Sequence, residues 1–183
     1  MRDLTEHTLD STCVYAGQLL EVCEDTVQLP DGRSARREYV RHPGATVIVP
    51  MPNDHTILIE RQFRYPLRQH FLELPAGKID AGEEPDVTAR RELLEETGYE
   101  ADYWEHIFTT YPCVGYSDER LEFYLARDLR HVGHPGEEGE FLEIVELSVD
   151  RALAMIKAGE ITEAKTILGV LWIERSMRSK NRP

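Results

Sequence analysis

The chain is poor in cysteine, in aromatic rings and in positive charge, and it has no long apolar run. Cys13, Cys23 and Cys113 form an odd, scattered set without metal-ligand spacing, which excludes a disulfide framework and a thiolate metal site. They read as reduced thiols, as expected of a cytoplasmic protein. No apolar stretch approaches the roughly 20 residues that a membrane-spanning helix needs. Met1 to His7 lacks the apolar core of a signal peptide, so a cytoplasmic location without membrane contact is expected. Lys and Arg number 21 against 34 Asp and Glu, leaving a formal net charge of −13. Nucleic acid requires a basic surface, so it is excluded as a partner. An anionic substrate must instead be received by metal ions and a few local arginines. Aromatic residues make up only 8% of the chain, and Trp104, Trp172 and Tyr124 read as core rather than as platforms for a base. Internal repeats and low-complexity tracts are absent.

What the chain does have is an acidic helix. Pro85 to Thr97 reads as helical, with Pro in the first turn and Gly98 as the stop. Glu92, Glu95 and Glu96 are three and four residues apart, so their carboxylates share one face and repel one another. They also lie toward the negative end of the helix dipole. Selection for helix stability alone would place Lys or Arg there, so a bound cation is expected. Clustered carboxylate oxygens suit Mg²⁺, with Mn²⁺ as the other candidate. A solvated, functionless Glu-rich face is the competing reading of a bare Glu-Glu pair.

The frame around those acids is more specific. Gly77, five residues, Glu83, seven residues, then Arg91-Glu92-Leu93-any-Glu95-Glu96-any-Gly98 resembles the Nudix hydrolase signature at every fixed position. Tyr99 is the one departure, standing where the pattern usually has an aliphatic residue. Gly77 and Gly82 are expected to permit a tight loop through positive φ, and Gly98 to cap the helix. Leu93, Leu94 and Val87 are expected to hold the helix on the core. The resemblance implies that Glu92 and Glu96 are the principal metal ligands, with Glu95 as a further ligand or a supporting group. It also implies that the Ala76 carbonyl binds metal, and that Arg91 orients a carboxylate such as Glu83 or Glu95.

Along the rest of the chain, Cys13 to Tyr15, Leu19 to Cys23 and Arg37 to Val40 predict strands, with a turn at Leu29 to Gly32. Ala45 to Val49 and Thr56 to Glu60 predict strands joined by a hairpin-like Met51 to Asp54. Phe71 to Leu74, Leu121 to Ala126 and Leu142 to Leu147 predict further strands. Asp150 to Ala158 and Thr162 to Ser176 have helical periodicity. The expected fold class is α/β: a Nudix-type α/β/α sandwich with a mixed sheet, plus a small N-terminal β-strand element. Residues 1–43 are expected to form a β-rich dimerisation element and residues 44–183 a Nudix hydrolase domain.

Outside the box, Arg61 to Pro66 with Leu72 to Gly77, and Tyr111 to Glu119, resemble segments of the ADP-ribose pyrophosphatase subgroup. They are shared in part with enzymes that cleave GDP-mannose and other nucleoside diphosphate sugars. Arg64 is the candidate diphosphate-binding residue, because its planar fork matches phosphate oxygens; an exposed strand-end Arg is the alternative. Glu73 sits among apolar neighbours and needs a partner, which makes it a second substrate-binding candidate. Pro112 is the third, or simply stiffens its loop. The resemblance implies Mg²⁺-dependent hydrolysis of ADP-ribose or a close nucleoside diphosphate sugar by a homodimer. It further implies a general base on the loop between His134 and Phe141, with Glu140 first and Glu138 second. GDP-mannose is the runner-up substrate, and a nucleotide-sensing module without turnover ranks below both.

Overall fold

The structure is a computed structural model and describes residues 2–133 and 141–180, the last without its side chain. The chain clusters into two compact units, one of residues 1–44 with 111–120 and one of residues 45–110 with 121–183.

The first unit is an antiparallel sheet in the order β1(His7–Ala16), β2(Glu21–Gln28), β3(Ser34–Arg41). All of β1 is exposed, whereas β2 buries every second residue, Cys23, Asp25 and Val27, as the two-residue period of a strand requires. Leu19 and Leu20, expected inside a strand, belong to the β1–β2 turn, which is closed by Gly17 N donating to the Leu20 carbonyl at 2.9 Å. Two polar stretches, Glu24 to Gln28 and His7 to Thr12, extend the strands beyond their apolar centres. The turn at Leu29 to Gly32 lies where the sequence places it, with Gly32 N donating to the Leu29 carbonyl at 2.8 Å. In the same unit, residues 111–120 bond to β3 through Val40 N to the Tyr116 carbonyl at 2.8 Å, and just beyond it through His42 N to Asp118 at 2.7 Å.

The second unit contains β4(Ala45–Pro50), β5(Thr56–Arg64), β6(Gln69–Glu73), β7(Ala76–Lys78), α1(Pro85–Thr97), β8(Tyr99–Thr110), β9(Leu121–His131), β10(Leu142–Ser148), α2(Val149–Ala158) and α3(Ala164–Lys180). A mixed sheet runs β7-β4-β9-β8, with β4 and β9 parallel, and an antiparallel sheet runs β10-β5-β6. β4 is a continuous β-branched run because it is central and covered on both faces. On one face Ile48 and Ala126 meet Ala89 and Leu93 of α1. On the other, Val47, Val49, Phe123 and Leu125 pack with Ala152, Met155, Val170 and Ile173 of α2 and α3. This is the expected α/β/α arrangement. Gly169 lets α3 come close, since a Cβ there would lie 2.4 Å from Leu74 Cδ1.

Several expectations are corrected. Met51 to Asp54 makes a turn but no hairpin, because β4 and β5 go to different sheets. β7 and the 12-residue β8 were not foreseen. Of the three residues expected to seat α1, only Leu93 is fully buried, and Ala89 takes the other core position. Val87 is exposed and Leu94 only half-buried.

Candidate active site

The acidic helix begins and ends as its sequence directs. Pro85 occupies the first turn, and Gly98 adopts φ 73°, donating to the Leu94 carbonyl at 2.9 Å. Glu92 and Glu96 lie one turn apart and come down on consecutive residues of β7. Glu96 is buried and accepts from the Ala76 N–H at 3.0 Å. Glu92 lies against Gly77, where an added Cβ would be 1.8 Å from its carboxyl carbon. Gly77 is therefore required for space. It lacks the positive φ expected of it, while Gly82 has it at 81°.

Arg91 organises the remaining carboxylates. Its Nη1 donates to Glu92 at 2.7 Å and to Glu95 at 3.0 Å, and its Nε and Nη2 donate to Glu83 at 3.2 and 3.0 Å. One guanidinium thus bridges three acids, more than the single partner expected. The Arg91 contacts, with a 2.7 Å bond from Thr88 Oγ1, hold the Glu83 carboxyl down at about 2. Arg91 is pushed up in turn, first by Glu83.

Among the described residues, no three Asp, Glu, His or Cys side chains are arranged to hold a metal. Two carboxylates, Glu92 and Glu96, do meet at the Ala76–Gly77 backbone, in a cradle that any side chain at 77 would fill. Carboxylate and carbonyl oxygens are the donors that a hard divalent cation takes. The residues present therefore fit such an ion, which Glu92, Glu96 and the Ala76 carbonyl would hold, and Arg91 Nη1 engages both Glu92 and Glu95 beside them.

Arg64 and Glu73, picked separately from the sequence, bond to each other. Arg64 Nε and Nη2 donate to the two Glu73 oxygens at 2.8 and 2.9 Å, which leaves the Nη1 side of the fork for another anion. Glu73 is buried, with a second cation, Lys165 of α3, on its Oε2. Burial pushes its carboxyl up, but Arg64 and Lys165 outweigh that and hold it below the ordinary carboxylate value. Arg64 is raised, chiefly by the Glu73 bond. Lys165 also lies 3.4 Å from Glu163, whose other contacts cap α3 through Thr166 N at 2.9 Å and Thr166 Oγ1 at 2.8 Å. Sequence reasoning missed Lys165. Nothing in a helix start at residues 163–166 signals a partner 92 positions earlier.

Pro112 is exposed and belongs to the first unit, in the turn-rich segment after β8. Glu138 and Glu140, the candidate bases, lie outside the described residues.

The NUDIX domain family model matches residues 40–168, and that of the nucleoside diphosphate sugar hydrolase N-terminal domain matches residues 6–40. The chain is 37% identical to the methanol dehydrogenase activator of Bacillus methanolicus, over 92% of each chain. It is 35% identical to the ADP-ribose pyrophosphatase of Bacillus subtilis (strain 168), over 95% of each. It is 34% identical to a GDP-mannose pyrophosphatase of Escherichia coli, over 79% of this chain and 80% of that one. A crystal structure of an ADP compounds hydrolase superposes with a TM-score of 0.88, covering 100% of both chains at 22% identity, which is a likeness of fold.

Proposed function

Since the chain belongs to the NUDIX domain family, we propose that it hydrolyses the diphosphate of ADP-ribose, or of a close nucleoside diphosphate sugar. The products are then AMP and ribose 5-phosphate, or their equivalents. The observation that carries this reading is the meeting of Glu92 and Glu96 on the Ala76–Gly77 backbone. A divalent cation held there, Mg²⁺ or Mn²⁺, would neutralise charge building on the diphosphate and acidify the attacking water. Arg91 keeps Glu83, Glu92 and Glu95 in place around it. Arg64 orients the diphosphate with the part of its fork that Glu73 leaves open. A glutamate within residues 134–140, Glu140 or else Glu138, takes the proton from water. The protein acts in the cytoplasm as a homodimer on a soluble nucleotide, with no nucleic-acid or membrane partner.

GDP-mannose is the second reading, supported by the similarity to GDP-mannose pyrophosphatases over most of the chain. The test is a panel of ADP-ribose, GDP-mannose, UDP-glucose, NADH and diadenosine polyphosphates with Mg²⁺, scored by product identity. ADP-ribose should be turned over fastest, and EDTA should abolish activity until Mg²⁺ or Mn²⁺ is restored. Faster cleavage of GDP-mannose transfers the assignment, and full activity in EDTA removes the metal from it.

A further inference from the structure

Two apolar residues of α1, Val87 and Leu94, do not reach the core, and they wall a cavity of about 410 Å³ between the outer side of the helix and the start of β8. The other walls are Arg90, Arg91, Glu100, Ala101, Asp102, Trp104 and Arg130. That volume is within the range of small-molecule sites.

The chemistry of the walls is selective. Trp104 is fixed in orientation, because its indole N–H donates to the Ala101 carbonyl at 2.9 Å and its ring meets Tyr124 edge-on at 6.5 Å. The Arg90 guanidinium lies over the indole at 4.9 Å. Arg90 has no carboxylate partner among the described residues, although the chain carries a net charge of −13. Glu100, on the same wall, is taken by Arg130 at 2.8 Å. An oriented cation that the protein leaves without an anion, beside a fixed indole and the aliphatic Leu94 and Ala101, matches an anion carrying a flat apolar ring.

We propose that this cavity, which borders the acid face through Arg91, is a second nucleotide site and that it takes a nucleoside monophosphate. The phosphate pairs with Arg90, and the base packs on the wall formed by Trp104, Leu94 and Ala101. The choice of ligand rests on the proposed reaction, whose nucleotide product is of this class.

The test uses AMP as probe and Trp104 as reporter in the full-length Trp172→Phe variant, which leaves Trp104 as the one remaining tryptophan. With EDTA present, so that no divalent ion sits on the acid face, AMP should quench the Trp104 emission saturably. Arg90→Ser should weaken that binding about 10-fold or more, in line with loss of a charge-assisted hydrogen bond. Adenosine and inorganic phosphate, each supplying half of the ligand, should bind at least about 10-fold more weakly than AMP. Calorimetry on the unmodified protein and on Arg90→Ser repeats the comparison without altering Trp172. Turnover of the diphosphate substrate by Arg90→Ser should match that of the parent. Absence of AMP binding in EDTA, or AMP binding unchanged by Arg90→Ser, overturns the second site. Phosphate binding as tightly as AMP overturns the nucleotide assignment. An inactive protein that still binds AMP through Arg90 removes the proposed reaction and leaves the site standing.

Discussion

Arg91 answers the electrostatic problem that the acidic helix poses. Three like charges on one helical face, Glu92, Glu95 and Glu96, are unfavourable, and the Arg91 guanidinium offsets that repulsion by bonding Glu92 and Glu95 together with Glu83 just before the helix, at 2.7 to 3.2 Å. Glu83 registers the effect most clearly. Its folded carboxyl lies at about 2, below the ordinary 4.5, so it binds fewer protons folded than unfolded through that interval. The stability it contributes is therefore complete above about pH 4.5 and is lost as pH falls through about 2. The stability gap between the parent and Glu83→Gln should be full at pH 6 and mostly closed at pH 2.5, as measured by urea unfolding. An equal gap at both values would refute the assignment. A second prediction concerns Gly77. Alanine there puts a methyl on the Glu92 carboxylate, and the flexible end of Glu92 can swing away without disturbing the backbone. Gly77→Ala should therefore leave the melting temperature within a few degrees while lowering kcat by about 10²-fold, a loss comparable with removing a positioned catalytic group. Wild-type kcat in that variant would mean that Glu92 is not a metal ligand.

At the scale of elements, legibility followed apolar periodicity and glycine punctuation. α1 was readable to the residue because Pro85 and Gly98 mark its ends. β4 was readable because both its faces are buried and its run is unbroken. β8 was not, since it lies at the edge of the mixed sheet and carries Glu100, Asp102, Glu105 and His106 where a two-sided strand would carry apolar residues. β7 is three residues long and exists only through its pairing with β4, a non-local cause that local pattern cannot carry. The same limit hid Lys165. Its position on α3 matters only because α3 brings it to Glu73 on β6, beside Arg64 on β5. Arg64 and Glu73 alone form a neutral pair, and Lys165 adds a second cation to the shared carboxylate, with Glu163 on its far side at 3.4 Å. Lys165→Met should raise KM for the diphosphate substrate several-fold with less change in kcat. It should also destabilise the fold by less than the roughly 3–5 kcal/mol typical of breaking a buried pair, because Glu73 keeps Arg64. Lys165→Arg should restore KM. A purely structural lysine would lower stability and leave KM where it was.

At the scale of the whole molecule, the first unit is thin for a free-standing sheet. Three strands with a single buried row are close to the lower limit of independent stability. β1 is exposed along all ten residues, with Leu9, Val14 and Tyr15 each more than half accessible. Its outer edge pairs with no strand among the described residues, and such an edge is ordinarily blunted or covered. The matched N-terminal family segment, residues 6–40, coincides with these three strands. A second copy of the chain is the covering that the homodimer reading supplies. Light scattering on the full chain should give a dimer. Val14→Lys and Leu9→Lys together should shift it toward monomer without altering the second unit, whose core lies elsewhere. If the partner also helps bind nucleotide, monomerisation should weaken KM for the substrate. A protein that begins at Ala45 should then be monomeric or insoluble, with weak nucleotide binding. A double-lysine variant that stays dimeric moves the interface off β1, and a fully active monomer removes the partner from nucleotide binding.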